Sequence, residues 1–340
     1  MALANRASHR TISHLFLTGH NPFSPPSASS SSSPVRQSPL NPSLVRVPLA
    51  TWLSQLGRGD PVEPESSASA LRVTSIASSA TGHSLLSFRD DDDVDRVLAL
   101  GRNESGQLGI GFASQEGTRG LVEAFSGERV LKVATAVQSS FLLVKRDDDR
   151  NDLYSFGNCA RGKLSQPTLS VDSHEDGGDR YDDGEPVQKV LSRATLVEPP
   201  ALDRFGKIVD VVTGFEHLLV LTESGDIFGS GCNTDGQLGL GHANDVHSLT
   251  RLRVPDSFDV ENREGGIDKV VAGGDSSGFI TKSGKLFTWG NSEYAQAGHG
   301  RTLDQVLTPL VVDPTRFAPS NDHVRIIDYQ CGGSFGLILD

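Results

Sequence analysis

The chain has 340 residues, a formal net charge of −12 and 36% hydrophobic residues, which is the balance of a globular protein with one large domain or two ordinary ones. No stretch approaches the ~18 consecutive apolar residues of a membrane helix, which excludes a helical membrane span. The acidic body repels phosphate backbones, so we do not expect direct nucleic-acid binding. Cys159, Cys232 and Cys331 are far apart and lack CxxC spacing, which favours structural thiols over disulfides or a zinc site.

The N-terminal segment has the composition of a transit peptide followed by a linker. Before Asp60 the sequence contains five arginines but no acidic residue and no lysine. The apolar run from Leu15 to Leu17 is too short for a secretory signal. The Pro/Ser-rich stretch that follows predicts a disordered linker, so residues 1–43 are interpreted as transit peptide and linker. Composition alone leaves mitochondrial import, chloroplast import and an ordinary disordered tail open.

Four segments along the chain share a glycine, then Asn or Cys, then a turn. They read ALGRNESGQLGIG, SFGNCARGKLSQ, GSGCNTDGQLGLG and TWGNSEYAQAGHG, and their leading glycines are Gly101, Gly157, Gly231 and Gly290. The recurrence predicts repeats at 71–129, 130–207, 208–266 and 267–323, with a degenerate partial repeat at 44–70 and a truncated one at 324–340. The second repeat contains an acidic insertion at 171–186, which we expect to be a surface loop that folding does not require.

Each repeat also carries two β-branched runs joined by a small-residue turn, upstream of the glycine segment. A unit of about four short strands cannot bury its own faces and must pack against neighbouring units. The sequence therefore predicts an all-β chain that forms a β-propeller, apparently incomplete, with about four full blades plus partial ones.

The segments GQLGIG and GQLGLG could cradle a phosphate or form tight turns. No GK[ST] follows them and no helix-initiating pattern does, which favours turns. In this interpretation the glycines supply the backbone conformation, the leucines are core, and the glutamines bond to nearby backbone groups. The residues concerned are Gly106, Gln107, Leu108 and Gly109, and Gly236, Gln237, Leu238 and Gly239; Trp289 with Gly290 forms the matching part of the fourth segment.

These segments resemble the regulator-of-chromosome-condensation repeat family. GFEHLLVLTESGDIFGSGCNTDGQLGLG matches a whole repeat, and GKLFTWGNSEYAQAG and GHSLLSFRDDDDVDRVLALGRNESGQLGIG look closer still to its mitochondrial member, from the Williams–Beuren region. The resemblance covers roughly residues 71 to 340 and implies a seven-bladed propeller, of which this sequence supplies only part. It also implies mitochondrial localisation, in the matrix or at the inner-membrane periphery.

The sequence contains only weak signals for catalytic or metal-binding residues. His83 and His217 occupy a recurrent position, but Ser139, Ser276 and Phe335 replace them in other repeats, so we interpret both as structural residues bonded to turn backbone. The acidic runs at 90–93 and 147–149 could suggest calcium, but they lack the ordered spacing of a calcium loop and fit solvated hairpin tips better. No nucleophile or metalloprotease motif is present, and no enzyme activity or cofactor is predicted.

Two functions of different classes remain. The resemblance implies a scaffold that binds partner proteins in mitochondrial ribosome assembly or translation. The alternative is a guanine-nucleotide exchange factor for a mitochondrial, dynamin-like GTPase. No exchange residue can be carried over position by position, so the scaffold is the preferred interpretation.

The last repeat predicts an open edge. Leu339 corresponds to Leu221 of the third repeat, so the final apolar strand has no following strand to pair with. We therefore expect an open arc of four to five blades rather than a closed ring.

Overall fold

The computed structural model describes residues 72–89, 93–123, 129–166, 190–198, 205–254, 266–300, 303–316 and 324–340, and the backbone alone of 14–19 and 41–48. The acidic insertion at 171–186 lies outside these described residues. Strands β1 (His14–Gly19) and β2 (Asn41–Pro48) form a separate antiparallel pair in and beside the predicted transit peptide and linker. The rest of the stretch from 1 to 70 also lies outside the described part of the chain.

Four four-stranded antiparallel sheets follow, each built from strands that are consecutive in sequence. Blade 1 contains β3 (Arg72–Ser78), β4 (His83–Arg89), β5 (Asp95–Asn103) and β6 (Ser114–Leu121). Blade 2 contains β7 (Arg129–Ala136), β8 (Ser139–Lys145), β9 (Asn151–Asn158) and β10 (Val190–Leu196). Blade 3 contains β11 (Ile208–Thr213), β12 (His217–Thr222), β13 (Ile227–Gly231) and β14 (Val246–Arg251). Blade 4 contains β15 (Ile267–Gly273), β16 (Ser276–Thr281), β17 (Leu286–Asn291) and β18 (Gln305–Val311).

Two further strands begin a fifth blade: β19 (Asp328–Cys331) pairs with β20 (Gly336–Leu339). Among the described strands, β20 has no other partner, and the N-terminal pair does not reach it. Short 3-10 helices lie at Ala160–Gly162 and Pro314–Arg316. The all-β fold with an incomplete propeller is thus confirmed, and the described blades form an open arc.

The first strand of each blade lies innermost. β3, β7, β11, β15 and β19 contact one another in succession, whereas the fourth strand of each complete blade forms the outer edge. A β-bulge recurs in the inner strands, between Val130 and Lys132 in blade 2 and between Ile208 and Asp210 in blade 3. Each bulge inserts one residue and turns the neighbouring side chain toward the adjacent blade.

The hydrophobic cores lie between blades rather than within them. The core between blades 2 and 3, for example, joins Phe141 and Leu164 of blade 2 to Val211 and Phe228 of blade 3. Similar cores join blades 1 and 2, blades 3 and 4, and blade 4 with β19. Each sheet is buried only because a neighbour covers it, as expected for a repeat too small to fold alone.

Candidate functional site

The glycine segments form tight turns whose backbone N–H groups donate to acceptors within the same turn. The Leu108 N–H donates to Asn103 Oδ1 at 3.1 Å, and the Ser105 N–H donates to Gln107 Oε1 at 2.8 Å. The Gly109 N–H donates to the Gly106 carbonyl oxygen at 2.9 Å. These amides already have acceptors inside the loop, so the geometry is that of a capped turn and not of an open anion cradle.

The turn in blade 3 has the same bonds. The Leu238 N–H donates to Asn233 Oδ1 at 2.9 Å, and the Asp235 N–H donates to Gln237 Oε1 at 2.9 Å. Gly236 and Gly239 have φ values of 74° and 67°, which disfavour a side chain. Leu108 and Leu238 are both fully buried.

The leading glycines are required by a close backbone approach. Gly101, Gly157, Gly231 and Gly290 all have φ between 99° and 113°. A Cβ atom at Gly290 would overlap the Asp275 carbonyl oxygen in the preceding turn of the same blade, and the other three are placed equivalently. Any larger residue would both strain the backbone and push this turn away.

The sequence interpretation had both histidines bonded to turn backbone, whereas in the structure the Nε2 atom of each binds the side chain of a serine in the next blade. His83 Nε2 lies 2.9 Å from Ser140 Oγ, and His217 Nε2 lies 2.8 Å from Ser277 Oγ. Ser140 donates its only hydroxyl proton to the Gln107 carbonyl oxygen at 2.7 Å, so it accepts from the histidine. The hydrogen bonding therefore defines a neutral imidazole protonated at Nε2.

Burial keeps both rings neutral. Burial lowers the pKa of His83 to about 4 and that of His217 to about 3. His217 Nδ1 is buried with no hydrogen-bond partner, so a proton placed there would have no acceptor. The two histidines link blade 1 to blade 2 and blade 3 to blade 4 and have no feature of a catalytic base.

The other two blade junctions use ion pairs between inner strands. Lys132 of blade 2 binds Asp210 of blade 3, and Lys269 of blade 4 binds Asp328 of β19. These residues occupy equivalent positions in their strands, immediately after the β-bulge or at the matching place in β19. Junctions with a histidine–serine pair thus alternate with junctions that carry a lysine–aspartate pair.

The first-to-second-strand turns and the glycine turns lie on the same face of the arc, here called the motif face. Lys163 of blade 2 stands where other blades have glutamine, and its Nζ lies 2.8 Å from Glu216 Oε1 in the turn of blade 3. Gln237 Nε2 makes the equivalent contact with Asp275 Oδ1 in the turn of blade 4, at 3.3 Å. The glycine turns of blades 2 and 3 therefore each make a polar contact with the next blade, whereas Gln107 Nε2 in blade 1 is buried without a partner among the described residues.

The motif face also carries two carboxylates, Asp235 and Asp275, that form no ion pair among the described residues. Burial, together with the nearby charge of Asp235, raises the pKa of Asp275. Among the described lysines and arginines, none forms an ion pair with Asp235 or Asp275; their side-chain oxygens accept hydrogen bonds from Asn291 and Thr234 at Asp235 and from Gln237 at Asp275. Phe215 and Tyr294 on the same face are 39% and 68% exposed. Exposed aromatic rings are enriched on surfaces that bind a protein partner.

The acidic hairpin tips lie on the opposite face. Asp93 Oδ2 pairs with Arg129 at 2.6 Å, and Asp149 Oδ2 pairs with Lys207 at 3.0 Å. The hydrogen bond from Arg150 lowers the pKa of Asp148. These carboxylates pair with separate cations, and the described residues contain no group of three or more His, Cys, Asp or Glu side chains suited to a metal ion. Asp90 to Asp92 lie outside the described residues.

The described part of the chain also contains no helix that is long and apolar enough to cross a membrane. Cys159 and Cys232 are buried thiols, Cys331 is half-buried, and none of them forms a disulfide in the described residues.

The repeats match a known family model. Residues 208–237, and then 224–280 and 283–339, match models described as the Regulator of chromosome condensation (RCC1) repeat. Residues 208–280 and 283–339 are therefore repeats of this family. Among curated relatives, the "RCC1-like G exchanging factor-like protein" of Mus musculus is 27% identical over 279 residues, which are 78% of this chain and 53% of the relative. The Homo sapiens protein of the same name is 29% identical over 248 residues, 69% of this chain and 47% of the relative.

Solved structures agree with this assignment. The crystal structure of human WBSCR16 matches with a TM-score of 0.60 and 26% identity, over 79% of this chain and 60% of that one, which supports the resemblance to the Williams–Beuren region member. Prp20p from Saccharomyces cerevisiae matches with a TM-score of 0.54 and 21% identity, over 81% of this chain and 57% of that one, and this likeness concerns the fold alone. The chain spans about half the length of the curated relatives it matches.

Sequence reasoning missed the serine partners of the histidines and the role of Lys163. The sequence did contain a signal. In the blade that follows a histidine-bearing blade, the residue after the recurrent histidine position is serine, namely Ser140 and Ser277. In the blade that follows Ser139, the same place holds Leu218. The pairing is visible only when consecutive repeats are read together.

Proposed function

We propose that this RCC1-family chain is a non-catalytic scaffold that binds partner proteins through its motif face, and that it acts in mitochondria, in ribosome assembly or translation. The observation that carries the binding role is the combination of two carboxylates, Asp235 and Asp275, that form no ion pair among the described residues with two exposed aromatic rings, Phe215 and Tyr294. Aromatic side chains are enriched in protein interfaces, and the acidic pair favours a basic partner surface.

The frame behind this surface is rigid enough to present it. The Val137 N–H donates to the Phe215 carbonyl oxygen at 2.7 Å, and the Phe215 N–H donates to the Gly274 carbonyl oxygen at 2.8 Å. Turns of blades 2, 3 and 4 are thereby joined in series. A preorganised surface loses little entropy on binding.

Proximity labelling with the full chain tests the proposal. The scaffold role predicts labelling of mitochondrial ribosomal or RNA-modifying proteins and a strong loss of these with the double variant Phe215→Ala, Tyr294→Ala. A matched control is Leu196→Ala, Val311→Ala, which truncates two similarly exposed residues on the outer strands β10 and β18. Equal labelling by both variants would place the binding surface elsewhere, and a cytosolic tagged protein that retains Met1 would refute the mitochondrial assignment.

The second candidate is exchange-factor activity, which the names of the mouse and human relatives favour. Exchange breaks no covalent bond and requires only that a surface displace part of a GTPase nucleotide site. The test is release of fluorescent GDP from a mitochondrial dynamin-like GTPase, with and without the purified chain. Accelerated release that the motif-face double variant abolishes would favour exchange over the scaffold role.

A further inference from the structure

The junction between blades 2 and 3 lacks a hydrogen bond that both of its neighbours have. At the junctions of blades 1 and 2 and of blades 3 and 4, a histidine binds a serine of the next blade. Between blades 2 and 3, Ser139 stands at the histidine position and Leu218 at the serine position. This side-chain hydrogen bond is therefore missing, because leucine has no polar side-chain atom.

The neighbouring junctions also share an aromatic ring that packs on the last glycine of the turn, here called an aromatic seat. A Cβ atom placed on Gly109 would lie 2.8 Å from the ring of Phe156, which is on β9 of the next blade. A Cβ atom on Gly239 would lie 2.9 Å from Trp289 Nε1, on β17 of the next blade. In both cases the ring of one blade is in direct contact with the turn of the other.

The junction between blades 2 and 3 has no aromatic seat. Ser230 precedes the leading glycine of blade 3, at the place where β9 and β17 have Phe156 and Trp289. Ser165 ends the turn of blade 2, at the place where the other turns have glycine. Both serines are buried, and neither hydroxyl has a hydrogen-bond partner among the described residues. The two hydroxyls therefore supply no bond across the junction.

Ion pairs connect blades 2 and 3 instead. Four lysines or arginines at this junction each face a carboxylate of the other blade: Lys132 with Asp210, Lys163 with Glu216 at 2.8 Å, Arg161 with Asp245 at 2.7 Å, and Lys207, immediately before β11, with Asp149 at 3.0 Å. The first pair lies between inner strands, the next two on the motif face and the last at a hairpin tip. The pairs therefore span the junction from one face of the arc to the other.

Most of these charged groups are in contact with solvent. Lys163 is buried, but its partner Glu216 is 30% exposed, and the side chains of Arg161 and Lys132 are 36% and 37% exposed. Dissolved salt weakens ion pairs that solvent can reach. The histidine–serine bonds and aromatic seats of the neighbouring junctions involve neutral groups, so salt has little effect on them.

The balance between the junctions therefore depends on ionic strength. An apolar core lies at each of the three junctions between complete blades, so none of them opens freely. At low salt, four ion pairs together offset the missing hydrogen bond and ring. Salt removes this compensation at one junction only. In a repeat array each junction contributes separately to stability, so the weakened junction opens first.

We propose that the four ion pairs form a salt-sensitive latch, and that at high salt blades 1 and 2 separate from blades 3 and 4 at this junction before the other two junctions open. Opening breaks the bond from the Val137 N–H to the Phe215 carbonyl oxygen, which is 2.7 Å long. The bond from the Phe215 N–H to the Gly274 carbonyl oxygen, 2.8 Å long, joins blades 3 and 4 and persists. The motif face is thus continuous only while the latch is closed. This inference does not depend on the proposed function.

Hydrogen exchange of the full chain, resolved by nuclear magnetic resonance at fixed pH, tests the proposal. The Val137 amide reports on the junction between blades 2 and 3, and the Phe215 amide reports on the junction between blades 3 and 4. Gly241, whose N–H donates to the Leu307 carbonyl oxygen at 2.9 Å, reports on the latter junction independently. Between about 20 mM and about 0.5 M NaCl, exchange of Val137 should accelerate about fivefold or more, and that of Phe215 and Gly241 by less than about twofold.

Two neutral double variants assign the effect to the ion pairs. Lys132→Gln with Asp210→Asn removes both charges of the inner-strand pair and keeps the size of the side chains. It should raise exchange of Val137 at low salt and reduce its acceleration by salt to about threefold or less. The matched control is Lys269→Gln with Asp328→Asn, the equivalent pair between blade 4 and β19, which should leave the response of Val137 unchanged. Circular dichroism melts establish that both variants fold.

Three results would overturn the proposal. The first is an equal response of Val137 and Phe215 to salt in the wild type, a comparison that needs no variant. The second is an acceleration of Val137 that the Lys132→Gln, Asp210→Asn variant retains in full. The third is the simultaneous loss of protection at Val137, Phe215 and Gly241, which would show that the blades open as one cooperative unit.

Discussion

Acidification should weaken this fold through its two inter-blade histidines. In the folded protein, the pKa of His83 is about 4 and that of His217 is about 3, against an ordinary value of 6.5. The unfolded chain therefore takes up protons as the pH falls below 6.5, while the folded chain does not. The free energy of unfolding must decrease across this range, down to the folded pKa values.

The magnitude follows from these pKa values. At pH 5 an unfolded histidine is almost fully protonated, whereas at most about a tenth of the folded rings are. The difference costs about 2 kcal/mol for each histidine relative to pH 7, or about 4 kcal/mol for the pair. This is a large part of the ~5–15 kcal/mol stability of a typical domain.

Carboxyl groups change the free energy of unfolding in a different pH range from the histidines. The folded pKa values of Asp148, Asp149 and Asp328 are lowered, so their stabilisation is lost only as the pH falls through the ordinary aspartate range. The pKa of Asp275 is raised, so its protonation favours the folded state as the pH falls. Between pH 7 and pH 5.5 the histidines should dominate.

Urea unfolding followed by circular dichroism at half-unit pH intervals measures this effect. His217→Gln keeps a donor for Ser277 but removes one titration, and should reduce the loss of stability between pH 7 and pH 5 by about half. The double variant with His83→Gln should be nearly flat above pH 5.5. An equal loss in the wild type and in the double variant would refute the histidine linkage.

Four substitutions, two of them also combined in a double variant, and one deletion test the remaining structural arguments. Leu238→Ala should lower the free energy of unfolding by about 2–5 kcal/mol, the usual cost for a buried leucine, while nucleotide binding measured by calorimetry stays unchanged; loss of phosphate-dependent binding with stability intact would revive a phosphate-binding role for the turn. Gly290→Ala should cost at least about 1–3 kcal/mol in a thermal melt, because the added Cβ overlaps backbone at a positive φ, and a neutral result would contradict the close approach. Lys163→Gln alone should cost about 1–3 kcal/mol, because it removes the nearer of the two cations that pair with Glu216 and leaves only Arg161, at 3.5 Å; adding Glu216→Gln should restore part of the loss, and no recovery in the double variant would argue against this pair. Deletion of residues 171–186 should leave the melting temperature nearly unchanged, and a fall of several degrees would mean that the insertion packs on the blades.

The repeat architecture was predictable because it is encoded locally. The glycine turns, the short apolar strands and the hairpin tips are each encoded within a single repeat and recur from repeat to repeat, so the sequence predicted about four full blades plus partial ones. The roles of Gly101 and Leu238 were accessible for the same reason, since a turn that needs positive φ requires glycine and a recurrent leucine beside it is buried.

The contacts between blades required the tertiary structure. His83 and Ser140 are separated by 57 residues, and His217 and Ser277 by 60, so no local pattern pairs them. The sequence showed a histidine position that is not constant, which indicated a structural role but not its partner. The alternation of histidine–serine and lysine–aspartate junctions appears only when neighbouring blades are placed side by side.

The glycine turns show the same division most clearly. The sequence by itself determined that Gly109 and Gly239 end recurrent tight turns, because the whole motif lies within one repeat. Only the tertiary structure decided that an aromatic ring of the next blade, Phe156 or Trp289, packs on each of these glycines. The physical reason is that an aromatic seat is formed by two blades together, so its shape depends on packing across a junction and not on either repeat alone.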